Sequence, residues 1–161
     1  MPGQSKTWMP RERWDALVRG NNCPLCAECC STETRNEFGY TIATLRQSLL
    51  RLTMNQFPPG YCILICTKHV QEPYHLTAEE QHLFFDDLWC AAKAIERVFN
   101  PIKMNFQILG NLVPHLHVHI TPRYYGDVAP GRPIGPGDPI ITLTPQEYEE
   151  RVRLIRAALE A

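Results

Sequence analysis

The sequence predicts an α+β domain: a mainly antiparallel five-stranded sheet with one long helix packed on it and short helices towards the two ends. Three observations predict it. Three strand-like runs follow one another between residues 38 and 67, joined by turns too short for helical crossovers. One long amphipathic helix then starts at Thr77 and reaches about Asn100. A second pair of runs, residues 103–109 and the stretch from His115, is separated by a Gly110-Asn111 turn signal and suits a hairpin. Strands grouped before and after a single helix give an α+β arrangement rather than a parallel one.

The elements follow in order. Residues 10–19 suit a short helix with Trp14, Leu17 and Val18 along one edge. Asn21-Asn22-Cys23-Pro24-Leu25-Cys26 breaks it as a tight loop. Residues 38–45 and 48–54 are rich in Thr, Ile, Leu and Tyr and read as strands. Asn55-Gln-Phe-Pro-Pro-Gly60 is a turn by composition. Residues 61–67 are almost continuously apolar, which suits a central strand buried on both faces and ending at Lys68-His69. Thr77-Ala-Glu-Glu80 fits a capping box. Leu83, Phe84, Leu88, Ala91, Ala92, Ile95 and Val98 recur at helical spacing until Asn100-Pro101 stops the helix. Pro114 opens the histidine strand and Pro122 closes it, since proline lacks a ladder donor. Residues 125–139 hold four glycines and four prolines and form a surface loop. Thr144-Pro145-Gln-Glu147 opens a last helix that runs close to Ala161. The chain reads as one domain over 1–161: an N-terminal arm (1–36), a core (37–124), and a loop with the C-terminal helix (125–161).

Composition excludes several classes. With 161 residues, 44% apolar and 20% charged, the chain suits one globular domain with its own core. A formal net charge of −1 gives no basic excess for a nucleic acid polymer. No apolar stretch is long enough for a membrane span. Residues 1–19 carry charge throughout, unlike a secretory signal, so a cytoplasmic protein is expected. Of seven cysteines, Cys62, Cys66 and Cys90 sit in apolar surroundings and suit a core. Cys23, Cys26, Cys29 and Cys30 cluster, and in a reducing compartment they read as metal-binding or simply reduced.

The functional signal lies in Pro114-His115-Leu-His117-Val-His119-Ile-Thr-Pro-Arg123, which spends half of the chain's six histidines in five residues. On a strand, positions i, i+2 and i+4 share a face. His115, His117 and His119 therefore line one side, with Leu116, Val118 and Ile120 behind them. Imidazoles in a row suit nucleophilic or acid–base chemistry, or metal.

These residues resemble the histidine-triad (HIT) family of nucleotide hydrolases and transferases, and within it bacterial proteins of the dinucleoside-polyphosphate-hydrolase type. The family signature alternates three histidines with apolar residues. Here it departs only at its last position, Thr121. The likeness extends over residues 38–123. It takes in Asn55 before the Pro-Gly turn, the apolar strand ending in Lys68-His69-Val70, Asn105, and Gly110-Asn111. One departure stands out: many members carry a further histidine after the Pro-Gly turn, where this chain has Tyr61.

The resemblance implies an enzyme that cleaves at the α-phosphate of a nucleotide, on dinucleoside polyphosphates or nucleoside phosphoramidates. His117 would be the nucleophile that forms a nucleotidyl-histidine. His119 would donate to a phosphoryl oxygen, and Asn111 would hydrogen-bond on the leaving side. Asn55 would hold the ribose, with Asn105, Asn111, His117 and His119 completing the nucleotide site. It also implies a structural zinc held by Cys23, Cys26, His69 and His115. Cys-x-x-Cys is a good zinc half-site by itself, though Cys26 and Cys29 share the same spacing. A homodimer is implied too, for which Phe84, Phe85, Leu88 and Trp89 offer more apolar surface than one helix face needs. Two rival readings of the histidines stay open: a zinc-dependent hydrolase with His-x-His as catalytic metal ligands, and a nucleotide-binding protein without turnover.

Overall fold

Residues 8–128 and 130–161 are described by a computed structural model of the chain. The N-terminal arm contributes helices α1 (Arg11–Val18) and α2 (Pro24–Cys30). Strands β1 (Arg35–Asn36), β2 (Gly39–Thr44), β3 (Ser48–Thr53) and β4 (Cys62–Cys66) follow. A 3-10 turn at Pro73–His75 leads into the long helix α3 (Ala78–Phe99). Strands β5 (Lys103–Gln107) and β6 (His117–Arg123) and helix α4 (Pro145–Leu159) complete the chain. All strands lie in one sheet of order β1-β2-β3-β4-β6-β5, and every neighbouring pair is antiparallel.

Cys90, expected in the core, is exposed on α3, and three further expectations need correction. The sheet has six strands, not five. The sixth is the two-residue β1, pairing Arg35 with Tyr40 and Asn36 with Gly39 in a tight hairpin. The Asn36 side chain accepts from Phe38 N at 3.0 Å and shapes that turn. Gly39 is required there, because a Cβ would collide with the Leu52 carbonyl oxygen. Second, Cys23 to Cys26 is not a loop. Pro24 occupies the first turn of α2, where its missing N–H costs nothing, and Cys23 is the N-cap residue. Third, Pro122 lies inside β6 instead of ending it. It sits past the ladder with β4, whose last pair is Cys62 with Ile120, so a missing donor is tolerated.

The two sheet faces differ because strand side chains alternate. One face presents Leu50, Leu52, Leu64, Val118 and Ile120 to Phe84, Leu88 and Ile95 of α3 and to Tyr148, Val152 and Ile155 of α4, forming the core. Both helices start with complete capping boxes, Thr77 with Glu80 and Thr144 with Glu147. Asn100, in the left-handed region at φ 48°, ends α3 just before Pro101. The other face carries His117 and His119, paired across to Ile65 and Ile63. It is partly covered by α2 and by the loop after β6. Among the described residues no helix is long and apolar enough to cross a membrane.

One polar anchor joins α3 to the sheet. The buried Asp87 carboxylate accepts from Ser48 Oγ and Gln47 N, both at 2.8 Å, and pairs with Arg46 Nε at 3.3 Å. Asp87→Ala leaves these donors unpaired beneath the helix. It is expected to lower unfolding stability by about 3 kcal/mol in urea titration. A loss under about 1 kcal/mol would show that water replaces the carboxylate.

Candidate functional site

The site is built on β6 and divides at His115. Just before the strand proper, Leu116 N donates to Val70 O (2.6 Å) and Cys66 N to Leu116 O (3.0 Å), which continues the pairing with the end of β4. That pairing sets His115 beside His69. The Nε2–H of His115 donates to Cys66 O at 2.7 Å, and the Nε2–H of His69 donates to Val18 O at 3.0 Å. A carbonyl only accepts, so each ring carries its proton on Nε2 and turns a bare Nδ1 inward. The two Nδ1 atoms stand 3.2 Å apart. Cys23 Sγ lies 3.4 Å from His115 Nδ1, and Cys26 Sγ lies 3.3 Å and 3.5 Å from the Nδ1 atoms of His69 and His115. All four ligand atoms fall within 4.8 Å of one another.

This geometry suits a tetrahedral cation. Zn–N near 2.05 Å and Zn–S near 2.3 Å give N–N and N–S edges of about 3.3 and 3.6 Å. The two bare Nδ1 lone pairs face each other at 3.2 Å with no hydrogen between them, an arrangement that a cation held by both would relieve. The carbonyl bonds at the far ring nitrogens are the outer contacts that fix tautomer and orientation in metal-binding histidines. Burial and the neighbouring Cys23 thiol push the Cys26 thiol up to about 11, and a bound cation would act in the opposite direction. Cys29 turns away to the Cys66 carbonyl (3.7 Å) and Cys30 is exposed, so the cage draws on Cys23 and Cys26.

His117 and His119 stand outside the cage, with ring centroids 5.1 Å apart. His117 Nδ1–H donates to His115 O at 2.6 Å. The proton is therefore on Nδ1 and Nε2 offers its lone pair. Burial lowers the His117 pKa from its ordinary value despite that bond. His119 is lowered to about 4, first by burial and then by His117. Its Nδ1 lies 2.6 Å from the Tyr61 hydroxyl. Both rings are thus neutral near pH 7.

Two cavities flank these histidines. One, of about 300 Å³, is walled by Leu25 and Pro24 of the arm, Phe38, Thr53, Ile63, Ile65 and Val113, with Glu28 and Arg51 at its polar end. Arg51 is 3% exposed. It pairs with the Glu28 carboxylate and donates to Asn36 Oδ1 (2.9 Å) and Gly39 O (2.6 Å). The other cavity, also about 300 Å³, lies between Asn55, Tyr61, Thr121 and residues 134–140 of the loop. That loop is pinned by Arg123 to Asp127 (2.6 Å) and by Arg132 to Asp138 (2.6 Å).

The asparagines expected in the site fare differently. Asn55 borders the second cavity, but its Oδ1 accepts from Phe57 N and Ile141 N, both at 3.0 Å, which ties the turn to the end of the loop. Asn105 shares the histidine face opposite Thr121 and accepts from Arg123 Nη1 at 3.1 Å. Asn111 lies on an exposed bend with no side-chain hydrogen bond to the triad. Sequence reasoning missed Gln107, the cross-strand partner of His119 on the same face. The hairpin register alone would have found it. The Glu28–Arg51 pair was missed as well, and no short spacing announces it.

A family model described as the HIT domain matches residues 39–126, more than half of the chain. The protein called Protein hit from Bacillus subtilis is 32% identical over 78 residues, covering 45% of this chain. The chain spans about half, 54%, of that relative's length. A histidine triad protein from Sinorhizobium meliloti superposes with a TM-score of 0.70 at 25% identity, covering 79% of this chain and 97% of the other. A structure described as a zinc-bound histidine triad family protein from Mycobacterium smegmatis shares the fold, with a TM-score of 0.61 at 23% identity over 86% of this chain and 94% of its own.

The Glu28–Arg51 pair yields a prediction of its own. Arg51→Met or Glu28→Met alone strands a buried charge and is expected to cost about 3–5 kcal/mol. The double substitution, measured in the same denaturant cycle, is expected to cost less than either single change. A strictly additive double mutant would mean that the two groups do not depend on each other.

Proposed function

The chain belongs to the HIT domain family, whose members are in general nucleotide hydrolases or transferases, some of them non-catalytic; on that premise we propose that it is a nucleotidyl hydrolase or transferase working through a covalent nucleotidyl-His117. The observation that carries this reading is the bond from His117 Nδ1 to the His115 carbonyl, which leaves Nε2 as a bare nucleophile. Phosphate esters repel anions, whereas a neutral imidazole can approach phosphorus. The Nε2 lone pair attacks the α-phosphorus while the bond to the leaving oxygen breaks and takes its electron pair with it. Water or another acceptor then attacks the same phosphorus, and the P–N bond breaks to return the lone pair to Nε2. His119, Asn111 and Gln107 supply hydrogen bonds to the phosphoryl group and the leaving side as charge develops.

The apolar cavity between Ile63, Ile65, Phe38 and Leu25 suits a nucleobase, with Arg51 and Glu28 towards its polar edge. Asn55 keeps its Nδ2–H₂ for a ribose hydroxyl, and Asn105 shapes the nearby surface. Dinucleoside polyphosphates and nucleoside phosphoramidates both meet these requirements. The metal in this reading is structural zinc, held by Cys23, Cys26, His69 and His115. A closed set of four ligands leaves no open position, which favours this over a catalytic metal. When bound, it clamps the arm to the active-site strand. Thiolate ligands need a reducing compartment, so a cytoplasmic location belongs to the same reading.

His117→Ala is expected to abolish the acid-labile adduct formed with labelled nucleotide and to cut turnover by at least ~100-fold, about 2.7 kcal/mol of barrier. Nucleotide affinity should change little. His119→Ala and Asn111→Ala should cost less, roughly 10-fold each. Survival of a tenth of wild-type turnover in His117→Ala would reject the nucleophile. The wild-type pH profile adds a sign. Attack needs neutral His117, and its pKa lies below the ordinary 6.5. kcat/KM should therefore hold level from pH 8 to 6.5 and fall only below that.

Protein purified without added metal should carry about one zinc per chain, and stripping it should lower stability by several kcal/mol and loosen the arm. Cys26→Ser and His69→Ala should lose the metal. A content under about 0.2 zinc per chain would remove the site from this reading.

A homodimer completes the proposal. β5 is an edge strand, and Phe106, Ile108 and Leu109 beside it are exposed. Phe84 and Leu88 turn into the core, whereas Trp89 is 46% exposed and packs edge-on against Phe106 at 5.5 Å. One two-fold contact would cover this patch on both copies. Light scattering should read twice 18.5 kDa for wild type and 18.5 kDa for Trp89→Glu/Phe106→Lys. A wild-type monomer at micromolar concentration would count against it.

A further inference from the structure

We infer that Tyr61 is a positioning residue that fixes the tautomer of His119, so that its imidazole turns an N–H, and not a lone pair, towards the reacting phosphoryl group. The use of that N–H rests on the function proposed above; the tautomer itself does not.

Tyr61 sits between the turn and β4, on the same sheet face as Ile63, the cross-strand partner of His119. Its backbone is held unusually firmly. Tyr61 N donates to Pro58 O (3.2 Å), and its carbonyl accepts from Thr53 N (3.2 Å), Thr53 Oγ1 (3.0 Å) and Gln56 Nε2 (3.0 Å). Gly60 ahead of it has φ 83°, and a Cβ there would meet the Phe99 ring at 2.8 Å. The phenol is thus delivered from a rigid corner to a point 2.6 Å from His119 Nδ1.

One hydrogen lies in that short contact. The hydroxyl and Nδ1 could each supply it. A phenol is a stronger donor than acceptor and a bare imidazole nitrogen a stronger acceptor than a phenol oxygen, so a contact of 2.6 Å is better made as O–H···Nδ1 than as N–H···O. Burial pushes the Tyr61 phenol up to about 12, so it keeps its proton. His119, lowered to about 4, stays neutral. The O–H therefore donates to Nδ1, and the single ring proton of His119 resides on Nε2.

The neighbouring ring is locked the opposite way. His117 bears its proton on Nδ1, against the His115 carbonyl. Two adjacent neutral imidazoles then present complementary Nε2 atoms, one a lone pair and one a donor. In the proposed step His117 forms the N–P bond, the leaving oxygen takes the P–O electron pair, and His119 Nε2–H hydrogen-bonds to the oxygen where charge builds. No proton moves along the Tyr61–His119 pair.

The test is histidine ¹⁵N NMR on the whole 161-residue chain as purified. Wild type should show His119 as the Nε2–H tautomer, assigned by its loss in His119→Gln. Tyr61→Phe should turn that signal into a mixture of tautomers without moving the His117 signal. In kinetics, Tyr61→Phe should lower kcat by ~10-fold with KM within about twofold. A wild-type His119 in the Nδ1–H form, or an unchanged tautomer in Tyr61→Phe, overturns the inference. If wild type turns over no nucleotide, the proposed function fails, while the NMR still decides the tautomer.

Discussion

The site depends on the backbone and side chain of one residue, His115, being used at the same time. Its Nδ1 faces the cage, its Nε2–H is held by Cys66 O, and its carbonyl receives Nδ1–H from His117. The last bond spans only two residues, so its geometry is dictated by the local path of the chain. Any tilt of the His115 peptide plane redirects the His117 lone pair. Anchoring the His115 ring, at Nε2 by Cys66 O and at Nδ1 by the proposed metal, would therefore also fix the nucleophile proposed at His117. On that proposal the first histidine of the triad serves the chemistry without touching phosphorus.

Burial then sets the charge state. The triad rings sit at the meeting of β4 and β6, where Ile63 and Ile65 oppose them. Desolvation penalises imidazolium more than imidazole. A protonated ring would attract an anionic substrate but could not attack it. The fold gives up that attraction and keeps the His117 lone pair free at neutral pH, as the proposed mechanism requires. In that mechanism, guidance of the phosphates would fall to neutral donors such as Gln107 and His119.

Much of this was legible in the sequence, for reasons that can be named. The period-2 alternation of the triad strand and the capping boxes at Thr77 and Thr144 are local signals, and the structure keeps them. The convergence of Cys23 and Cys26 with His69 and His115 could be anticipated once the strand after the Pro-Gly turn was taken to lie beside the triad strand, which it does. What escaped depends on register or on length. β1 has two residues, below what any periodicity can reveal. Helix α2 starts on a proline that reads as a loop residue out of context. Gln107 and Tyr61 meet His119 only through pairing across strands. The family resemblance assigns Asn55 to the ribose; its oxygen is also engaged by a loop 86 residues further on, and no local pattern could indicate that.

Helix α2 shows how such local and distant constraints combine. It has seven residues, about half the ~12–15 at which an isolated helix becomes even marginal. It carries no side-chain cap. Its order must therefore come from what its two sides touch. One side commits Cys23 and Cys26 to the cage. The other commits Leu25 and Glu28 to the apolar cavity, with Glu28 fastened to the buried Arg51 of β3. Neither anchorage is independent, because a rotation that freed the thiols would swing Glu28 away from Arg51 and open the cavity wall. A buried ion pair is a poor source of net stability, since desolvation offsets much of its attraction. Its directionality is what matters here: it accepts one orientation of the helix, the same one that presents both thiols to the histidines. The Cys–His cage and the cavity floor are thus two readings of a single helix position, joined through a segment that could not hold either alone.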